Sequence, residues 1–221
     1  MSKQRAQSVD RAGLSRRTRL VWLSFLASMT LVTGLLVLGE GGLSGGRLIA
    51  ASVGAVGGRT STDSILPREA PLERQRWEGI VIHHLGRPAG DAPSVHRLHQ
   101  SYGYQGLGYH FLIGNGCGLG DGIIHVGYRW NRQQPGAHIA RSAEHEQYLN
   151  ERTIGICLIG NGDRRPFTDK QMRSLVSLVR RLQRELGLPR GRVYQHRELA
   201  PTVSDPGRFF AVARFEEQLL D

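Results

Sequence analysis

Length and charge narrow the function of this chain before any motif is considered. Its 221 residues allow one domain of ordinary size plus extra segments. The formal net charge of +10 could suggest a nucleic-acid partner. Half of that excess, however, lies in residues 1–19, and neither a nucleic-acid-binding motif nor an interleaved run of aromatic residues accompanies it. We therefore expect no nucleic acid among its partners.

An uncharged apolar stretch follows the basic tail and extends from residue 20 to residue 39. A helix of this length spans the core of a bilayer at about 1.5 Å per residue. Arginines precede the stretch and Glu40 follows it, which predicts a cytoplasmic N-terminus and an exported C-terminal part. A cleaved signal peptide is the alternative, but the stretch is long for one and no clear Ala-x-Ala site closes it.

The chain is therefore expected to be a single-pass protein of the cytoplasmic membrane, with its C-terminal domain outside that membrane, in the periplasm. Glycines alternate with Ser, Ala and Val after the apolar stretch, which is typical of a flexible linker. The predicted segments are a basic cytoplasmic tail (1–19), a transmembrane signal-anchor (20–39), a flexible linker (40–75) and a globular domain (76–221).

Hydrophobic patterning predicts alternating strands and helices from Trp77 onward. Short apolar runs predict strands over 80–82, 109–113, 123–126, 153–159 and 193–194. Helices are expected to begin at residue 93 and to occupy 168–186 and 213–220. The middle helix is the best defined, because Thr168 and Gln171 form a capping box and Gly187 and Pro189 end it. The alternation predicts an α/β fold with a mixed central β-sheet flanked by helices, preceded by one transmembrane helix.

Two short segments carry the residues with the clearest chemistry. The apolar run 79–82 has the character of a buried strand and ends on His83 and His84. A second segment places His196 and Asp205 nine positions apart across a loop that contains prolines. Two imidazoles and one carboxylate form an open zinc site if the fold brings them together, since three protein ligands leave one position for water. Such a site would make the protein a metal hydrolase rather than a simple binder.

Five motifs occur in one order between residues 76 and 212. They are Val81-Ile-His-His84, Gly106-Leu-Gly-Tyr-His-Phe-Leu-Ile113, Pro135-Gly-Ala-His138, Thr153-Ile-Gly-Ile-Cys-Leu-Ile-Gly160 and the stretch from His196 to Gly207. In this order and at this spacing they resemble the zinc-dependent N-acetylmuramoyl-L-alanine amidases of the type-2 amidase family, which includes phage amidases and the peptidoglycan recognition proteins. The resemblance implies the fold of that family and a Zn²⁺ cofactor.

The resemblance also implies a ligand set, in which His83, His196 and Asp205 bind the zinc ion. Ser204 is the rival for the third position, because the loop is one residue longer than the family's Thr-x-Cys-Pro-Gly form. Asp205 is preferred, since a carboxylate binds zinc far better than a neutral hydroxyl. His84 is expected to pack or to orient its neighbour.

Tyr109 matches a family tyrosine that assists proton transfer, and Cys157 stands where other members carry a glutamate. Thr202 is expected to stabilise the oxyanion. His138 is expected to line the substrate groove or to fix a loop, rather than to bind metal. Trp130 is expected to stack on a sugar or peptide, with an ordinary aromatic position at the rim as the alternative.

The function implied by the resemblance is hydrolysis of the amide bond between N-acetylmuramic acid and L-alanine in peptidoglycan or its fragments. The alternative is a non-catalytic peptidoglycan-binding or recognition module. Asp205 favours the enzyme, because binders often lack a usable third ligand. Val203 leaves room for the binder, since many members carry lysine or threonine at that position. The expected partners are peptidoglycan or muramyl peptides, and the membrane through the N-terminal helix, with the protein itself a monomer.

Overall fold

A computed structural model describes residues 69–139 and 144–221. The predicted tail, the signal-anchor and residues 40–68 of the predicted linker lie outside the described residues. Within residues 69–139 and 144–221, no helix combines the length and the apolar character that crossing a bilayer requires.

A five-stranded sheet forms the centre of the described domain. Its strands are β1 (Gly79–His84), β2 (Phe111–Ile113), β3 (Ile124–Val126), β4 (Thr153–Leu158) and β5 (Val193–Gln195). The strand order is β3-β2-β4-β1-β5. β1 pairs in parallel with both β4 and β5, and β2 pairs in parallel with β4, whereas β3 runs antiparallel to β2. The sheet is therefore mixed, as the sequence predicts.

The described part of the fold also contains a 3₁₀-helix (Arg190–Arg192) and six α-helices. The α-helices are α1 (Ala92–Ser101), α2 (Tyr128–Asn131), α3 (Glu146–Arg152), α4 (Asp169–Leu186), α5 (His196–Leu199) and α6 (Val212–Glu216). The predicted capping box of α4 is present, since the Thr168 hydroxyl accepts from the N–H of Gln171 and the Gln171 side chain accepts from the N–H of Thr168. Gly187 ends α4 at φ 67°, a left-handed conformation that glycine adopts without steric cost.

The two faces of the sheet pack against different partners. Alternation along β1 turns Ile80 and Ile82 toward the main core, which contains α4, and turns Val81 and His83 the other way. The main core also holds buried residues of the other strands and of α4: Phe111, Ile113, Ile154, Ile156, Leu158, Leu175, Leu178, Val179 and Leu182. A smaller cluster on the opposite face contains Val95 of α1 and Cys157 of β4. The fold thus places His83 on the face that the smaller cluster covers.

Candidate metal centre

The parallel pairing of β1 with β5 brings two histidines together. Ile82 of β1 lies opposite Gln195 of β5, so the residues that follow each, His83 and His196, become neighbours. Their ring centroids are 4.4 Å apart. Asp205, on the loop after α5, places Oδ2 at 3.0 Å from Nδ1 of His83 and at 3.0 Å from Nδ1 of His196. One nitrogen or oxygen atom from each of the three residues lies within 4.8 Å of the other two.

Burial sets the protonation of His83. The side chain of His83 is fully buried, and burial lowers its pKa to about 4, although the charge of Asp205 opposes that change. His83 is therefore a neutral imidazole at pH 7, the form that binds a metal ion.

Asp205 is an ionised carboxylate. Burial opposes its ionisation, but the neighbouring His83 and a hydrogen bond from His196 outweigh burial and hold the pKa of the carboxyl well below its usual value. The backbone N–H of His84 also donates to Oδ1 of Asp205. Two imidazoles and one carboxylate that converge in this way form a ligand set that suits Zn²⁺.

The loop after α5 turns Asp205, rather than Ser204, toward the histidines. The hydroxyl of Ser204 donates to Oδ2 of Asp163 at 2.5 Å, and Ser204 is exposed. The N–H of Arg197 donates to the carbonyl of Asp205 at 2.9 Å, which fixes the loop against the start of α5. His84 is not in the group, since its Nδ1 lies 2.8 Å from the carbonyl oxygen of Pro206 and 3.0 Å from the N–H of Gly162.

Tyr109 lies beside the three residues, directly before β2. Its ring centroid is 5.2 Å from that of His83, and the residue is half-buried. Burial raises the pKa of its hydroxyl well above 10, and the charge of Asp205 acts in the same direction. The hydroxyl is therefore protonated at neutral pH and can donate a hydrogen bond. Thr202 lies on the exposed turn between His196 and Asp205.

The two residues that the sequence assigns to substrate binding lie in the interior. Trp130 is 1% exposed, and its ring packs against Trp77 and Phe111 in the main core. His138 is 6% exposed, and its Nδ1 lies 3.0 Å from Nε2 of His83. The predicted contact with substrate is therefore wrong for both residues, because a buried ring presents no face to a ligand. Trp130 stabilises the core, and His138 contacts the buried side of His83.

Sequence reasoning did not find the network that surrounds His138. Its backbone N–H donates to Oδ1 of Asn150 at 2.8 Å, and its Nε2 lies 3.2 Å from the carbonyl oxygen of Thr153. Burial lowers the pKa of His138 well below 6.5, and His83 and His110 add to that effect. Gly155, in the middle of the buried strand β4, is the signal that could have revealed this network. A glycine there often marks the close approach of another group.

The protein is therefore an α/β domain with a mixed sheet and a candidate metal site formed by two histidines and one carboxylate. The family model described as N-acetylmuramoyl-L-alanine amidase matches residues 73–208, and the chain belongs to this family. The family is the type-2 amidases, which include the peptidoglycan recognition proteins.

Solved structures of amidases have the same fold. The N-acetylmuramoyl-L-alanine amidase LysC from Clostridium intestinale is 26% identical, with a TM-score of 0.55 over 68% of this chain and 91% of LysC. The endolysin amidase LysCS from the same organism is also 26% identical, with a TM-score of 0.55 over 68% of this chain and 89% of LysCS. The bumblebee protein PGRP-SA is 24% identical, with a TM-score of 0.50 over 62% of this chain and 80% of the PGRP-SA chain. At this identity the similarity shows only that the two proteins share a fold. A comparison with curated protein sequences finds no match.

Proposed function

We propose that the protein is a zinc-dependent amidase that hydrolyses the bond between N-acetylmuramic acid and L-alanine in peptidoglycan or its fragments. The convergence of His83, His196 and Asp205 is the single observation that carries the proposal. A protein that only recognises peptidoglycan has no need of two imidazoles and a carboxylate whose ligand atoms lie within 4.8 Å of one another. These three residues would hold the ion, and zinc, when bound, supplies an acidified water and a polarised carbonyl.

The chain itself contributes a hydrogen-bond donor beside that site. The Tyr109 hydroxyl keeps its proton at neutral pH, because burial raises its pKa. A donor in a partly dehydrated site stabilises the negative charge that develops on the amide oxygen more strongly than the same donor in water. Thr202, on the turn between two of the ligands, is the second candidate donor.

A non-catalytic recognition module is the second candidate function. It is favoured by Val203, an apolar side chain two residues before Asp205, where many family members carry a lysine or threonine. Such a module would bind muramyl peptides without cleaving them. The two functions differ in the products formed, which makes them separable by one assay.

The purified full chain should contain one zinc ion. It should also release from a muramyl peptide a peptide that has L-alanine at its N-terminus. We expect a chelator to abolish product formation and added Zn²⁺ to restore it, because the ligands position the ion that activates the attacking water. Mass spectrometry of the products and metal analysis of the protein provide the measurements. Binding without cleavage at full zinc occupancy would establish the recognition module instead. A protein that binds no zinc would contradict the metal site itself.

We further propose that the amidase domain lies outside the cytoplasmic membrane and is anchored to it. The uncharged stretch 20–39 behind a basic tail supports this location. A reporter that works only in the cytosol, fused after residue 70, should be inactive. The same fusion without residues 20–39 should regain activity, because nothing would then direct its export. An active reporter behind the intact N-terminal segment would contradict the proposal.

A further inference from the structure

We propose that His138 is a positioning residue, which fixes the tautomer of His83 so that the Nδ1 lone pair of His83 faces the metal site. The inference rests on the proposed zinc site. It concerns the buried side of His83, opposite to the side that faces Asp205, and it assigns to His138 a role in metal binding without direct contact with the ion.

The hydrogen bonds of His138 leave one arrangement of ring protons. The carbonyl oxygen of Thr153 can only accept, so Nε2 of His138, at 3.2 Å, carries the proton and donates it. A neutral imidazole with a proton on Nε2 has its lone pair on Nδ1. Nδ1 of His138 lies 3.0 Å from Nε2 of His83, so Nε2 of His83 must donate.

That direction determines which nitrogen of His83 is available to a metal ion. With its proton on Nε2, the neutral His83 ring presents an unprotonated Nδ1. This atom lies 3.0 Å from Oδ2 of Asp205, where both atoms carry lone pairs. Two lone pairs at that distance repel each other, and a cation that binds both atoms removes that repulsion. The chain from Thr153 through His138 to His83 therefore orients the ligand set toward an ion.

The surroundings of the His138 ring hold it in this position. An added Cβ at Gly155 would lie 2.5 Å from Cγ of His138, and one at Gly136 would lie 2.3 Å from Cδ2. The ring thus occupies space that only glycine at both positions leaves open. Oδ1 of Asn150 accepts from the N–H groups of His138 at 2.8 Å and of Ile139 at 3.1 Å, which fixes the backbone.

Without the acceptor on His138, His83 can move its proton to Nδ1. It would then donate to Asp205, and a proton would occupy the position that the ion needs. Groups that orient a metal-binding histidine typically change metal affinity by about 10–100-fold when they are replaced. We expect a loss of this size for variants that remove the acceptor and a much smaller loss for a variant that keeps it.

Two substitutions separate the acceptor from the rest of the ring. In His138→Asn, the amide oxygen can occupy the position of Nδ1 and accept from His83, but the hydrogen bond to Thr153 is lost. In His138→Gln, the amide reaches the position of Nε2 and keeps the bond to Thr153, but the acceptor for His83 is lost. If His138 positions the metal ligand, His138→Asn should bind zinc more tightly than His138→Gln. If His138 has only a structural role, His138→Gln should instead have both the higher zinc affinity and the higher thermal stability of the two variants.

Zinc affinity of the full chain, measured by chelator competition, gives the test. We expect His138→Gln to bind zinc at least about tenfold more weakly than the wild type, and His138→Asn to stay within about threefold of it. Equal losses in both variants, or wild-type affinity for His138→Gln, would overturn the proposal.

The ring protons of the wild type provide a second measurement, which needs no variant to fold. Long-range ¹⁵N–¹H correlations of the histidine rings should show the proton of His138 on Nε2, and in the zinc-loaded protein the proton of His83 on Nε2. A proton on Nδ1 of His138 would overturn the proposal. Failure of the amidase activity with these results intact would contradict the proposed catalysis and leave the positioning role standing.

Discussion

Asp205→Asn should lower zinc affinity by at least about two orders of magnitude and abolish amidase activity with it. The substitution keeps the shape of the side chain but replaces a charged ligand with a neutral amide, a much poorer partner for Zn²⁺. The expected loss exceeds the roughly 10–100-fold typical of groups that only orient a ligand. In the wild type, Oδ2 of Asp205 lies 3.0 Å from Nδ1 of His83 and 3.0 Å from Nδ1 of His196, so the charge is lost where the two histidines converge.

Thermal unfolding with and without zinc measures this effect. Free zinc at 100 times the wild-type Kd should stabilise the wild type by about 2.7 kcal/mol. That corresponds to about 5–10 °C for a domain of this size. If Kd rises 100-fold, the same zinc stabilises the variant by only about 0.4 kcal/mol.

Ser204→Ala is the matched control, because it changes the adjacent residue of the same loop. The hydroxyl of Ser204 donates to Asp163 and does not face the histidines. We expect zinc affinity and activity close to those of the wild type. Loss of zinc in Ser204→Ala together with its retention in Asp205→Asn would show that Ser204 is the third ligand.

Local patterns predicted most of the fold, because the information for each element lies within a few neighbouring residues. The capping box of Thr168 and Gln171 placed the start of α4, and the apolar run before His83 placed β1. The short helices α2, α3 and α5 were not predicted. They have four, seven and four residues, too few for a helical period to show in the sequence.

The candidate site could be predicted only where its residues carry distinctive chemistry. His83, His196 and Asp205 stand out because imidazoles and a carboxylate follow two apolar runs, and the structure brings them together. The depth of Trp130 and His138 was not predictable, since it depends on packing between segments far apart in the chain. An aromatic or histidine side chain is compatible with either a rim or an interior position.

Tyr109→Phe should reduce kcat by about 10²–10³-fold at full zinc occupancy, which corresponds to about 3–4 kcal/mol of transition-state stabilisation. The phenol keeps its proton at neutral pH because burial raises its pKa, so it acts as a donor to developing negative charge. The substitution removes one oxygen and leaves the ring, which is 5.2 Å from that of His83, in place. Packing and zinc affinity should therefore change little, and the loss should appear in kcat rather than in zinc content.

Tyr128→Phe is the matched control, because Tyr128 and Tyr109 both pack against the smaller cluster and both substitutions remove one hydroxyl. The ring of Tyr128 packs against the guanidinium of Arg129 and near His96, away from the three ligands. Its variant should keep wild-type kcat. If Tyr109 instead has a purely structural hydroxyl, activity in both variants should fall only as far as stability does. A Tyr109→Phe enzyme within about threefold of the wild type has lost only ~0.7 kcal/mol of barrier, too little for an oxyanion donor, and Thr202 would then be the residue to test for that role.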